Sequence, residues 1–368
     1  MRARRRVSAV RFLNSSPLVW GFLHGPQRGI FDMHFSLPSE CAEELRAGES
    51  DIGLVPAIEL ASQRDLMVLP GCSVACRGAV RSILFFSRKP IEQVESIAAD
   101  TGSRTSVVLA QIWLARKFGL RPRVRPHPPK LDEMLELADA ALIIGDAALH
   151  LDPGLPEWRG RRLFVHDLGA EWAAMTGLPM VFAVWGVKNP AADPDDPAIF
   201  QASAAYGFAH IDEIVSREGV ERGYPAELAR RYLTENISYA FGAAEQSSLE
   251  YFLRTAADLG LAPSMNEPSY LEAVAADQNI AARGKSHAGG VTRPGADGET
   301  RDRNRTAAPR SPRSRPEAAR NPSGDGHLRS SALSFVGGDH PDRHPPHSAP
   351  SDRRSPSRLP RDFHHELP

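Results

Sequence analysis

The sequence predicts an α/β fold, a parallel sheet with helices on both faces. Two observations carry this. Short apolar runs of strand length alternate with longer runs of helical period between Val7 and Leu259. Four of the apolar runs end in small or polar residues, at Asn14-Ser15-Ser16, Val55-Pro56, Gly102 to Ser106 and Gly145-Asp146. In α/β sheets a ligand binds beyond the carboxyl ends of the strands, so these groups would converge on a site.

Val7 to Leu13 reads as the first strand, ending at Asn14, and Pro17-Leu18 opens a helix to Leu23. Phe31 to Leu37 alternates apolar and polar residues and suits a second strand. Pro38-Ser39 starts a helix to Ala47, with Ser39 as its N-cap and Glu43 and Glu44 in its early turns; Gly48 to Asp51 stops it. Ile52 to Val55 is a short buried strand closed by Pro56. Leu66 to Leu69, Cys72 to Cys76 and Ser82 to Ser87 read as further strands, and Pro90 marks a crossing to a second block. In that block Ser96 to Asp100 is a strand and Thr105 to Phe118 a helix. A strand near Val124 and a helix over Leu131 to Ala138 follow. Ala140 to Ile144 is a fully buried strand. Leu163 to Leu168 leads through a turn into a helix at Trp172, and Met180 to Val187 is a strongly apolar strand. From Asp196 to Leu259 the pattern is helical.

The densest chemical signal is Asp100-Thr101-Gly102-Ser103-Arg104-Thr105-Ser106. A strand enters a tight turn at Gly102, and hydroxyls stand at the mouth of a helix. A helix start offers N–H groups without intrahelical acceptors and the positive end of the dipole, which together make an anion site. Ser103, Thr105 and Ser106 add side-chain donors, one of which would cap the helix. Arg104 would add a planar fork for a carboxylate. The same residues fit an ordinary capped helix after a turn equally well.

The chain has 368 residues, 42% hydrophobic and 24% charged, enough for a substantial core in one or two domains. A net charge of −1 gives no electrostatic case for nucleic acid or an anionic membrane. The odd cysteine count (Cys41, Cys72 and Cys76) argues against a disulfide framework, and free thiols suit the cytoplasm. Arg2 to Arg6 resembles the start of an export signal, but Asn14 to Pro17 interrupts the apolar stretch that would follow. No run nears the ~20 apolar residues that cross a membrane. The chain therefore reads as cytoplasmic. After Gly284 the composition turns to Pro, Arg, Ser, Gly, Asp and His, with no Ile, Met, Trp, Tyr or Cys. Such a segment cannot bury enough apolar surface to offset its ordering entropy, so 285–368 reads as a disordered tail. No His, Cys or Lys stands at the four strand ends, which speaks against a nucleophilic hydrolase, a Schiff-base enzyme or a metal site. A small polar anion is the ligand class left.

Leu13-Asn14-Ser15-Ser16-Pro17-Leu18, Pro38 to Ala42, Gly48 to Pro56, Asp100 to Val108, Ala140 to Leu149 and Asp167 to Trp172 followed by Thr176 to Ala183 together resemble the chorismate dehydratase family of bacterial menaquinone biosynthesis, on the futalosine route. The resemblance runs in order from about Val7 to about Leu261. It implies a fold like the type II periplasmic binding proteins, two α/β lobes with a ligand cleft between them. Residues 7–88 and 180–275 would form the first lobe and 90–178 the second. It implies loss of water from chorismate, giving 3-[(1-carboxyvinyl)oxy]benzoate, with no cofactor and no metal.

On that chemistry Ser103, Thr105 and Ser106, with Gly102 and Arg104 beside them, would bind one carboxylate. Ser82 would meet the substrate from the other lobe. Asn14, with Ser15, would hydrogen-bond the leaving hydroxyl or the ring. Asp146, following Gly145, would orient a donor, or serve as an acid if burial raises its pKa. Taken alone, Asn14 also reads as a turn residue before Pro17, and Asp146 as the N-cap of the next helix. The sibling 1,4-dihydroxy-6-naphthoate synthase and a non-catalytic small-anion binder on the same fold are the alternatives. The Asn-Ser-Ser-Pro and Gly-Ser-Arg-Thr-Ser motifs favour the dehydratase. Trp172 and Trp185 are expected in the core.

Overall fold

The structure is a computed structural model that describes residues 4–154, 157–188, 191–264 and 267–271. The tail expected over 285–368 lies outside the described residues.

Strand β1 (Arg6–Val10) leads through a 3-10 turn (Leu13–Ser15) into α1 (Ser16–His24), followed by β2 (Asp32–Ser36), α2 (Pro38–Ala47), β3 (Ile52–Pro56), α3 (Glu59–Ser62) and β4 (Leu66–Cys76). The second block holds β5 (Ile83–Ser87), β6 (Ser96–Asp100), α4 (Thr105–Phe118), β7 (Arg123–His127), α5 (Leu131–Leu137), β8 (Ala140–Ile144) and α6 (Gly145–Leu149). A short hairpin of β9 (Glu157–Trp158) and β10 (Arg161–Arg162) precedes β11 (Phe164–Asp167) and α7 (Leu168–Thr176). The chain returns through β12 (Met180–Lys188), α8 (Asp196–Ala209), α9 (Ile211–Ile214), α10 (Ala226–Arg231), β13 (Ser238–Phe241), α11 (Ala243–Asp258) and β14 (Ser269–Tyr270).

Two sheets result. A seven-stranded sheet runs β13-β4-β12-β3-β1-β2, with β14 added beside β4; a five-stranded sheet runs β11-β5-β8-β6-β7. The expected parallel sheet is in fact two mixed sheets. β1 lies parallel to β2 and β3, and β6 to β7 and β8, but β12 runs antiparallel to β3 and β4. Likewise β5 runs antiparallel to β8 and β11. The reversed strands, β5 and β12, are the first strands the chain enters after each crossing between the sheets.

The first crossing falls between Cys76 and Ile83, not at Pro90. Ile83-Leu84-Phe85-Phe86-Ser87 is buried on both faces and is an inner strand of the second sheet. Its apolar run could fill an inner position of either sheet, and Pro90 only breaks the loop after it.

Local chemistry accounts for other departures. Leu37, not Ser39, is the N-cap of α2, because Glu40 reaches back to accept the Leu37 N–H at 2.7 Å. Pro70-Gly71 does not end a strand; Gly71 adopts φ +100° and β4 bulges through it against β12. Ser238–Phe241, between the helices read over Pro225–Thr234 and Ala243–Leu259, forms a strand that pairs with β4. The core forms where expected. Trp113, Trp172 and Trp185 are fully buried, with Trp113 edge-on to Phe85 and Trp185 against Phe200. All three cysteines are free and buried, and burial pushes the Cys72 and Cys76 thiols up to about 12. Among the described residues no helix is long and apolar enough to cross a membrane.

Candidate active site

The four strand ends named by the sequence meet. The turn after β1, the end of β3, the turn after β6 and the end of β8 open onto one cavity with about 540 Å³ of empty volume, counted out to its mouth. Asn14, Ser15, Ser82, Gly102, Ser103, Arg104, Thr105, Ser106 and Gly145 all line it. Asp146 does not. The rest of the wall is mostly apolar: Val10, Phe12, Leu54, Val74, Val80, Ile83, Ile144, Phe182 and Ile237. Among the described residues the lining holds no Asp, Glu, His, Lys or Cys.

At α4 the anion-site reading acquires detail. Arg104 occupies the N-cap position without any side-chain cap. The expected hydroxyl cap is absent because Thr105 turns away, its Oγ1 accepting the Ile58 N–H at 3.3 Å from the first lobe. The first N–H groups of α4 therefore have neither an intrahelical acceptor nor a cap. Beside them the Ser103 hydroxyl is buried with no partner. A buried partnerless hydroxyl costs about 1–3 kcal/mol, so its presence in a cavity wall points to a ligand that completes it. Asp100 shapes the turn: its carboxylate accepts the Gly102 N–H at 2.9 Å and the Ile144 N–H at 3.3 Å. Burial raises its pKa against those two bonds.

Arg104 offers no free fork. Its guanidinium pairs with Glu59 at 2.6 Å and with Glu43, both from the first lobe. Glu59 is buried and also takes Arg46 at 2.6 Å, so the Arg104 charge ties the start of α4 to α2 and α3 of the first lobe. Asp146 is likewise committed outside the cavity. Its carboxylate accepts the Leu13 N–H at 3.0 Å and pairs with Arg222 at 3.1 Å, while its backbone carbonyl accepts from Tyr224. Burial raises the Asp146 pKa, opposed by these partners. It braces the turn that carries Asn14 and does not face the cavity as an acid.

The Asn14 amide donates to the Tyr232 hydroxyl at 3.1 Å, and Tyr232 donates to the Ser82 Oγ at 2.8 Å. Ser82, expected from the lobe other than that of α4, instead directly precedes β5, in the same sheet as the β6 that leads into α4. Ser15 donates to the Asn14 Oδ1 at 3.3 Å. Tyr232, Arg222, Phe12 and Phe182 carry no local sequence signal. Only the apolar flanks of Asn14 and of β12 could have pointed to the two phenylalanines.

A two-lobed α/β protein with a mostly apolar cavity, ringed by hydroxyls and an uncapped helix start, has the fold of the periplasmic binding proteins. A crystal structure from Archaeoglobus fulgidus superposes with a TM-score of 0.57 at 16% identity, covering 70% of this chain and 98% of that one. The periplasmic aliphatic sulphonate binding protein SsuA of Escherichia coli superposes with a TM-score of 0.50 at 16% identity, covering 72% and 95%. These likenesses establish the fold. A chorismate dehydratase of Thermus thermophilus is 31% identical over 236 residues, 60% of this chain and 85% of the relative. The sequence profile of the menaquinone biosynthesis family matches residues 5–258, and the chain belongs to that family.

Proposed function

We propose that the protein is a chorismate dehydratase, a carbon–oxygen hydro-lyase that converts chorismate into 3-[(1-carboxyvinyl)oxy]benzoate for menaquinone synthesis. The observation that carries this reading is the convergence of Asn14, Ser82 and the Ser103–Ser106 turn on a single cavity in a chain of this family. Chorismate has two carboxylates and a non-aromatic ring bearing a hydroxyl at C4. The uncapped N–H groups of α4 and the Ser103 hydroxyl bind one carboxylate. The apolar wall takes the ring.

The C3 hydrogen is activated through the ring diene by the ring carboxylate. The C3–H electron pair moves into the ring, the C4–O bond breaks, and the ring becomes aromatic, which drives the step. The departing hydroxyl takes up one proton and leaves as water. Fixed donors that stabilise the charge gathering on carboxylate and hydroxyl lower the barrier. Among the described residues the lining supplies no carboxylate, imidazole or amine; in this scheme the substrate's own enolpyruvyl carboxylate takes the C3 proton. Asn14 and Ser82 hydrogen-bond the departing hydroxyl.

Incubation with chorismate, followed by ultraviolet absorbance of the aromatic product and its mass, tests the function. The expected result is a product about 18 mass units lighter than chorismate, the mass of one water. Thermal stabilisation by chorismate without product would make the protein a binder and overturn the reading. An Asn14→Ala enzyme of wild-type turnover would remove Asn14 from the scheme.

A further inference from the structure

Tyr232 does not line the cavity, yet it is completely buried behind the two residues that do. It follows α10 in the returning chain, far in sequence from both of its partners. Its oxygen accepts one N–H of Asn14 at 3.1 Å, and its own proton goes to the Ser82 Oγ at 2.8 Å. Asn14 is held at its other end as well, because Oδ1 accepts from Ser15. The hydrogen-bond inventory then leaves little freedom. An amide has two N–H donors, and one is used on Tyr232; a serine has one O–H, and the Ser82 oxygen is already occupied as an acceptor. Each of these residues keeps one unspent donor, and each lines the cavity.

We propose that Tyr232 is a positioning residue for the dehydration: its hydroxyl fixes the Asn14 amide and the Ser82 hydroxyl so that the unspent donor of each is presented to the departing hydroxyl. The role rests on the function proposed above. It also spans the molecule, since Asn14 follows a strand of the first sheet and Ser82 precedes a strand of the second. The two donors therefore come into register only when both sheets stand against Tyr232. Burial raises the phenol pKa, which keeps the ring hydroxyl protonated as the relay requires.

The test compares wild type, Tyr232→Phe, Ser82→Ala and the double variant in steady-state chorismate dehydration, with thermal unfolding of each. Tyr239→Phe serves as the control: it removes the buried hydroxyl of another tyrosine, one that has no partner. Tyr232→Phe keeps the ring and its packing, so it should fold. We expect its kcat to fall on the order of tenfold to a hundredfold, the range for donors displaced within a preorganised site, with KM little moved. The double variant should be slower than Ser82→Ala alone, since Tyr232 also holds Asn14, but by less than the product of the two single effects, because both changes break the Tyr232–Ser82 bond. Tyr239→Phe should keep wild-type kcat. A Tyr232→Phe enzyme with wild-type kcat, or effects that multiply in the double variant, would overturn the role. So would a loss of activity that only tracks the melting temperature. A wild-type protein inert to chorismate would instead overturn the function, and this role with it.

Discussion

Gly145 makes the sharpest quantitative case for closure of the lobes across the cavity. It begins α6 at φ +59°, and a Cβ placed there would stand 2.5, 2.6 and 2.7 Å from three ring carbons of Phe12. Carbon atoms rest at about 3.5–4.0 Å, so the overlap is about 1 Å. Phe12 lies just beyond β1 of the first sheet, and Gly145 just beyond β8 of the second. Gly145→Ala therefore carries two separable costs. The left-handed backbone costs about 1–2 kcal/mol wherever the lobes stand, partly offset by about 0.4–1 kcal/mol from the stiffer unfolded chain. Overpacking of roughly 1–3 kcal/mol falls only on the closed arrangement, because opening the lobes relieves it. At 1.36 kcal/mol per tenfold, the second cost raises KM for chorismate roughly five- to 160-fold, while unfolding stability drops by only about 1 kcal/mol. Steady-state kinetics and urea unfolding on the same preparations separate the two. In the pair Phe12→Ala and Phe12→Ala/Gly145→Ala, the added alanine should no longer raise KM, since the obstructing ring is gone. A Gly145→Ala enzyme with wild-type KM, or a double variant that suffers as much as the single one, refutes the closure argument.

Other consequences follow from the same geometry. Ser103→Ala removes a buried hydroxyl that has no protein partner, so the free protein should be as stable as wild type or more so. Chorismate binding should nonetheless weaken by about 1.5–3 kcal/mol, the worth of a hydrogen bond to a charged group, read by calorimetric titration. Unchanged affinity would take Ser103 out of the anion site. Asp100 yields a pH dependence of defined sign. Burial raises its pKa above the ordinary 3.8, so its contribution to stability is full below that value and is lost as pH rises through the raised one. Asp100→Asn carries a penalty that does not vary with pH, from the acceptor it lacks for one of the Gly102 and Ile144 N–H groups. Wild type should thus exceed Asp100→Asn by the widest margin in acid and by less toward neutrality, measured by urea unfolding from about pH 4 upward. A margin that grows with pH contradicts the burial-driven shift.

Residue type and local spacing were legible in the sequence; commitments between distant residues were not. Glycine, proline and hydroxyl residues punctuate the ends of β1, β3, β6 and β8 because the backbone must turn there, and those turns are the ones that converge. The α4 start was readable for the same reason. Arg104 and Asp146 fail in one shared way. Each is the correct chemical type in a correct turn, yet each is taken by a partner from another element, Glu59 for one and Arg222 with the Leu13 N–H for the other. A carboxylate or guanidinium close to an opposite charge is neutralised before any ligand arrives, and no window along the chain contains that information. The position of β5 is the backbone version of the same limit. Its apolar run states that it is buried on both faces, while the choice of sheet depends on β8 and β11, which come later in the chain.

This asymmetry bears on how the site works. The groups left free for a ligand are neutral ones: helix N–H groups, the Ser103 and Ser82 hydroxyls and one Asn14 N–H. Arg104 and Asp146, the charged candidates at the turns, are engaged in holding the lobes or bracing a turn. Neutral donors bind a carboxylate without titrating, so the site should grip a dianionic substrate with little change across the pH range in which the protein is folded. They also provide no strong competing base. That leaves proton removal to the substrate's own carboxylate and asks of the protein chiefly that it exclude water and fix geometry. A KM for chorismate that swings strongly between about pH 6 and 8 would mean that a titrating side chain enters the site, and would break this division of labour.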